Sequence, residues 1–346
     1  MKELPIFILD NGSYTIKAGF FNKELNSENE NPFIIPNCIS RGKINKVNFI
    51  GSEVNECKDL SNLIQQRPFE KGYLTNWGLE KEIWDWIYFD SNLFSNFEPN
   101  EVQLLLTEPC FNLPNIAQSY EEIVFEEYEF ESLYKTIGPK LAISLLCNNS
   151  KIPDCCLVVD SSYSFTYVVP FFEGEPIYGA IKRLNIGGKM DETYIINEVK
   201  EACCYVSTDF KNDMEKSRYP ESSPILLEYV LPDFSTKRCG YIKDKTKIVQ
   251  EGIDEQILLM NNERFTTPEI FFHPQYIGSE QPGLPEIIID VIEATNLEPY
   301  EKELFFGNIL LVGGNFKIKN FKERLYNELK KLAPVDVKIN FTVPEE

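Results

Sequence analysis

The chain has 346 residues, 43% of them apolar, enough for about two domains with a substantial buried core. Its 34 lysines and arginines stand against 54 aspartates and glutamates, a formal net charge of −20, which excludes a chain that coats nucleic acid by bulk charge and favours protein partners. A single histidine, His273, excludes His-rich metal sites, and no window approaches the roughly 18 apolar residues of a membrane span. The opening MKELPIFILD lacks the apolar length of a signal peptide, so a soluble intracellular protein is expected. Nine cysteines contain no C-x-x-C pair. The vicinal pairs Cys155-Cys156 and Cys203-Cys204 lie in apolar runs, as buried thiols of a reducing compartment do. His273, in FFHP, is expected to be a packed turn histidine.

Taken in chain order, Ile6 to Leu9 reads as a buried strand, followed by a polar turn at Gly12-Ser13 and a return strand carrying Lys17. Asp10, Asn11, Gly12, Ser13 and Lys17 put a carboxylate, exposed backbone N–H groups and a cation close together, which suits a metal-bound phosphate. An ordinary hairpin built on Asn-Gly fits the same residues. Gln103 to Leu106 and Cys156 to Val159 are the next strands. The latter opens VVDSSYSFTY (158–167), which repeats the plan of ILDNGSYTIK (8–17): apolar strand, aspartate at its end, small polar turn, tyrosine, return strand. Such a repeat suits two similar halves facing each other across a cleft, although two unrelated hairpins can look this alike. Asn308 to Val312 is a further strand, followed by Gly313-Gly314-Asn315, where glycines let the backbone approach a ligand at a strand end. From Lys319 the spacing of Phe321, Leu325, Leu329 and Leu332 predicts a helix that starts on an Asn320/Glu323 capping box and stops at Pro334. Strands alternating with helices make an α/β chain.

These phrases, with RPFEKGYLTNW (67–77), LLLTEP (104–109), FEEYEF (125–130), EVKEACCYV (198–206), NERFTTPEIFFHP (262–274), PGLPE (282–286) and LAPVDVKI, resemble the actin family across nearly the whole chain and in the family's order. The resemblance implies the two-lobed α/β fold of the actin, hexokinase and chaperone ATPase superfamily, with four subdomains around a nucleotide cleft. Residues 1–32 plus 67–150 would form the first, 33–66 the second, 151–186 plus 279–346 the third and 187–278 the fourth. By the same resemblance, Asp10 and Asp160 flank the Mg2+ of bound ATP or ADP, and Asn11, Gly12, Ser13, Tyr14, Lys17, Ser161 and Ser162 line its phosphates. Lys200 and Glu201 would meet base and ribose; Gly313, Gly314, Asn315 and Lys317 would hold the adenosine.

The departures from the family weaken chemistry more than binding. Tyr14 stands where the family has glycine, Ser162-Tyr163-Ser164 replaces Gly-Asp-Gly, Gly138 replaces the glutamine that positions the attacking water, and Tyr167 replaces a histidine. Nucleotide binding with little or no hydrolysis is the expectation. The chain also runs straight from Lys189 to Met190, where the family has an extra helical stretch, and it stops at Glu346 before the family's last strand-helix segment. Without that segment the adenine would lose part of its pocket and an apolar face would be uncovered. FEEYEF, the insert EYVLPDFSTKRCGYIKD (228–244) and the short loop RGKINKV (41–47) resemble one nuclear subfamily of actin-related proteins. That implies a structural subunit of a chromatin remodelling complex that exchanges variant histone dimers into nucleosomes, docked on the remodeller ATPase and paired with a zinc-finger HIT-domain subunit. A polymerising, actin-like ATPase is the alternative, against which the short loop and absent glutamine speak; a sugar kinase or chaperone ATPase lacks any recognisable substrate domain here. Weak DNA contact would fall on the basic runs 317–331 and 235–247.

Overall fold

A computed structural model describes residues 4–21, 32–43, 46–57, 63–90, 93–94, 97–147, 151–189, 194–233, 237–243 and 255–344. The chain divides into two units, Met1–Leu141 and Ala142–Glu346. The first contains β1 (Ile6–Asn11), β2 (Thr15–Phe21), β3 (Phe33–Pro36), β4 (Ile39–Gly42), β5 (Asn48–Ile50), β6 (Leu63–Gln66), β7 (Phe69–Glu70), β8 (Tyr73–Leu74), α1 (Trp77–Asp85), β9 (Gln103–Glu108), α2 (Pro114–Glu122), β10 (Ser132–Ile137) and α3 (Gly138–Ala142). The second contains β11 (Cys155–Ser161), β12 (Thr166–Phe172), β13 (Glu175–Pro176), β14 (Lys182–Leu184), α4 (Tyr194–Cys203), α5 (Phe210–Ser217), β15 (Leu227–Val230), β16 (Tyr241–Ile242), β17 (Ile257–Met260), α6 (Glu263–Glu269), α7 (Leu284–Glu293), α8 (Pro299–Gly307), β18 (Ile309–Val312), α9 (Phe321–Leu332) and β19 (Phe341–Thr342).

Each unit is organised on one sheet. In the first the order is β10-β9-β1-β2-β3, with β9 and β10 parallel to β1 and the β1/β2 hairpin antiparallel. In the second the order is β13-β12-β11-β18-β19, with β18 and β19 parallel to β11 and β12 antiparallel. The hairpins also share a register: Asp10 opposes Lys17 and Asn11 opposes Ile16, while Asp160 opposes Tyr167 and Ser161 opposes Thr166. The repeat read from the sequence is therefore a duplicated sheet. Smaller sheets, β5-β4-β6 and β7-β8 in the first unit and β16-β15-β17 in the second, account for the other described strands except β14, which pairs β12.

Side-chain patterning explains the layers. β1 alternates half-buried and buried positions, so Phe7 and Leu9 face the first core, where Phe7 sets its ring against Tyr88, Phe94 and Phe97 at centroid distances of 5.9, 4.9 and 4.9 Å. β11 is buried on both faces, as expected of a strand flanked by a parallel neighbour under helices. Ile288 and Val291 of α7, Phe305 of α8 and Leu325 of α9 belong to the same core as Leu157 and Val159. Asn76 caps α1 by accepting from the Leu79 N–H at 3.1 Å.

The helix expected after Lys319 is present, but two of its details differ. Asn320 is left-handed at φ 66°, so its side chain caps no N–H of α9 and Nδ2 instead donates to the Val206 carbonyl at 3.3 Å. The capping box is absent because Asn320 ties the helix start to the loop that follows α4. Leu332 is 45% exposed, and Arg324 takes an interior place beside Phe321, Leu325 and Leu329. Cys155, Cys156 and Cys203 are buried and Cys204 half-buried, as their apolar context predicts. His273, expected to be packed, is 38% exposed and sits beside the Tyr276 ring.

Candidate functional site

The first hairpin turn is anchored from three directions. Asp10 accepts from Lys17 Nζ at 2.6 Å and from Thr107 Oγ1 at 2.6 Å, so cation and hydroxyl hold one carboxylate at the strand end. The Asn11 N–H donates to Thr107 Oγ1 at 3.2 Å, and its side chain joins Tyr120 OH at 3.1 Å and Trp84 Nε1 at 3.4 Å. Asn37 Nδ2 donates to the Gly12 carbonyl at 3.0 Å, while Arg67 donates to the Tyr14 and Asn37 carbonyls at 3.0 and 3.1 Å and lies over the Tyr14 ring at 4.6 Å. Tyr14 thus serves as a platform for Arg67.

In the second unit the turn after β11 is fixed mainly by the loop that follows β18. Asn315 Nδ2 donates to Ser161 O at 3.1 Å, Ser161 Oγ at 3.0 Å and Ser162 O at 3.1 Å. Gly313, at φ 103°, lets the chain pass directly over the Ser161 carbonyl. Gly314 has nothing within 4 Å of where a Cβ would stand, which leaves open space against the loop backbone. Ser162 Oγ donates to Asp160 Oδ1 at 2.5 Å, and Thr166 Oγ1 meets Ser161 Oγ at 2.8 Å. Gly188 N–H donates to Ser162 O at 2.9 Å, and Lys200 Nζ donates to Gly188 O at 2.6 Å. Burial lowers the Lys200 ammonium from its ordinary range, opposed by neighbouring Glu201.

The first unit therefore gathers Asp10, Asn11, Gly12, Tyr14 and Lys17, and the second gathers Asp160, Ser161, Ser162, Gly313, Asn315 and Lys200. Ser13 is half-buried on the first turn, and Glu201 and Lys317 are exposed at the edge of the second group. Thr107, Asn37, Arg67 and Gly188 were not among the residues expected to build the site. Thr107 has a sequence signal, since it lies in LLLTEP at the end of a strand parallel to β1; the others reach the turns only through tertiary contact. Among the described residues no group of three or more His, Cys, Asp or Glu side chains forms an all-protein metal cage. Single carboxylates beside phosphate-binding turns are the pattern Mg2+ uses with nucleotides. No described helix is long and apolar enough to cross a membrane. Tyr167 is buried opposite Asp160, and Gly138 opens α3 with nothing within 4 Å of a would-be Cβ.

Known proteins resemble this chain over nearly its whole length. The family described as Actin matches residues 1–190 and 189–346; residues 190–193 lie outside the described part. An actin-like protein ARP6 of Cryptococcus neoformans is 39% identical over 381 residues, covering 98% of this chain and 75% of that protein. Actin-related protein 6 of Drosophila melanogaster is 34% identical over 365 residues, covering 99% and 89%. An actin-like protein ARP6 of Saccharomyces cerevisiae is 32% identical over 401 residues, covering 99% and 89%. With a duplicated sheet and matches over nearly all of its residues, the chain belongs to the actin family, among its actin-related protein 6 relatives.

Proposed function

We propose that the chain is a non-catalytic structural subunit of a nuclear, ATP-dependent chromatin remodelling complex that exchanges variant histone dimers into nucleosomes, and that it holds ATP or ADP with Mg2+ as a structural ligand. The observation that carries the nucleotide part is the pair of aspartate hairpins of equal register, the second locked to the Gly-Gly-Asn loop by Asn315. Asp10 and Asp160 supply hard oxygen ligands suited to Mg2+, and Lys17 with the turn N–H groups suits phosphate. The complex-subunit part rests on the similarity to actin-related protein 6 relatives. Its partners on this reading are the remodeller ATPase and a zinc-finger HIT-domain subunit, with histones met indirectly. Copurification of the native chain, with mass spectrometry of its partners, tests that assignment; recovery as a homopolymer overturns it.

A ligand bound only by the folded protein stabilises it by RT ln(1 + [L]/Kd), about 2.7 kcal/mol at 100-fold saturation. ATP with Mg2+ is therefore expected to raise the melting temperature by several degrees; an unmoved transition at saturating nucleotide sinks the nucleotide part. Hydrolysis lacks a water-positioning side chain at Gly138. Steady-state phosphate release by the purified chain is expected to equal that of its Asp160→Ala variant, and a rate abolished by that substitution would reveal a working ATPase.

The basic runs support DNA contact less than their sequence suggests. Lys237 and Lys243 both pair with Glu255, at 2.8 and 3.6 Å, and Lys331 pairs with Glu328 at 2.8 Å. Residues 235–236 and 244–247 of that stretch lie outside the described part.

A further inference from the structure

The run FKIKNFKE (316–323) places Lys317, Lys319 and Lys322 close together in a chain whose net charge is −20. Clustered cations raise a local positive potential, which an acidic protein ordinarily cancels with its own carboxylates. Further along α9 this happens, since Lys331 joins Glu328 at 2.8 Å. Lys319 and Lys322 are exposed, and among the described residues neither enters an ion pair.

The same lysines line a groove of about 690 Å³ that lies wholly within the second unit, between the start of α9 and the lead-in to β19. Tyr326, Ile339 and Phe341 line it as well, and Glu323 is the one acid among the described lining residues. Ile339 and Phe341 are buried, and the Tyr326 ring stands 6.3 Å from that of Phe341, so an apolar floor meets a cationic rim. The rim is held by backbone contacts. The Lys319 carbonyl accepts from the Val206 N–H at 2.9 Å, Asn320 Nδ2 donates back to the Val206 carbonyl, and the next residue, Phe321, is fully buried. A rim fixed before any ligand arrives lowers the ordering cost of binding.

We propose that this groove docks an acidic segment of a partner protein, which seats one aromatic or aliphatic side chain against Tyr326 and Phe341 and sets flanking Asp or Glu carboxylates on Lys319 and Lys322. Charge complementarity selects that occupant. At physiological salt charges are screened beyond about 8 Å, so a short segment meets the local lysines alone. A second copy of this chain, or a nucleic-acid duplex, would lay extended negative charge over an acidic molecule. A duplex also has no apolar side chain to offer the floor. The inference is independent of the nucleotide reading, because Lys319 and Lys322 lie outside the residues assigned to the nucleotide; Lys317, which is among them, is left unchanged in the test.

The test measures binding of a fluorescein-labelled peptide, Glu-Asp-Glu-Trp-Leu-Glu-Asp-Glu, to the full chain by fluorescence anisotropy. Lys319→Glu combined with Lys322→Glu is expected to weaken binding by about tenfold or more. Both side chains are exposed, so the melting temperature should stay where it is. Lys211→Glu combined with Lys216→Glu makes the same change of net charge on α5, away from the groove lining, and should bind the peptide as the unsubstituted chain does. Exchanging Trp-Leu of the peptide for Ser-Ser should also cost about tenfold or more, because the anchor is what meets the apolar floor. No binding at about 1 mM peptide, equal weakening by the two pairs of substitutions, or full affinity of the Ser-Ser peptide overturns the proposal. So does a single- or double-stranded oligonucleotide that binds more tightly than the peptide through the same two lysines, which makes nucleic acid the occupant. A dimer in sedimentation that Lys319→Glu with Lys322→Glu dissociates overturns it in favour of a second copy.

Discussion

Replacing Gly313 by alanine is expected to destabilise the second unit by about 2–5 kcal/mol, from the left-handed backbone and from forced displacement of a packed strand. The residue sits at φ 103°, and a Cβ there would overlap the Ser161 carbonyl oxygen, with the carbonyl carbon only 2.6 Å away. The obstacle is the backbone of β11, a strand buried on both faces, so no side chain can swing aside. Gly314→Ala is the matched control, because nothing lies within 4 Å of its would-be Cβ. Urea denaturation should separate the two variants clearly; equal midpoints would show that the Gly313 crossing over Ser161 is not a constraint. Because Asn315 hangs on the same crossing, Gly313→Ala should also loosen the turn that carries Asp160.

Arg324→Ala is expected to cost about 3–5 kcal/mol, the penalty of leaving a buried charge without its partner. Arg324 NH2 lies 3.1 Å from Glu269 Oε1, NH1 donates to the Ser207 carbonyl at 2.5 Å, and Nε donates to Glu328 at 2.7 Å. The side chains of Arg324 and Glu269 are 8% and 1% exposed, so water cannot replace either. Burial holds Glu269 at about 7 even with the guanidinium beside it. Without Arg324 that carboxyl binds its proton still more tightly when folded, so the deficit should grow from pH 6 to pH 8. Removing both charges with Glu269→Leu and Arg324→Met should recover much of the loss, since an apolar pair needs no desolvation. Calorimetric melting of single and double variants at the two pH values reads this; additive losses would place the cost outside the ion pair.

Local pattern made much of the site legible. Asp10 and Asp160 end apolar strands, their turns share a spacing, and Gly313-Gly314-Asn315 follows a strand and precedes a helix. Each signal lies within about ten residues of chain, where strand period and turn chemistry act directly. The misread details share a different origin. Asn320 looked like an N-cap, but its side chain found a carbonyl at Val206, more than a hundred residues away. Leu332 fits a helical stripe, yet the buried place went to Arg324 because Glu269 waits on another helix.

The sequence by itself thus determined the duplicated hairpins, their strands and the glycine loop, because those follow from side-chain period and backbone permissiveness. Only the tertiary structure decided what holds them. Thr107 steadies Asp10 because β9 runs parallel to β1, and Asn37 and Arg67 reach the Gly12 and Tyr14 carbonyls from distant segments. Hydrogen bonds between residues far apart in the chain leave no period in the sequence; they exist only once packing excludes the water that would otherwise satisfy each group.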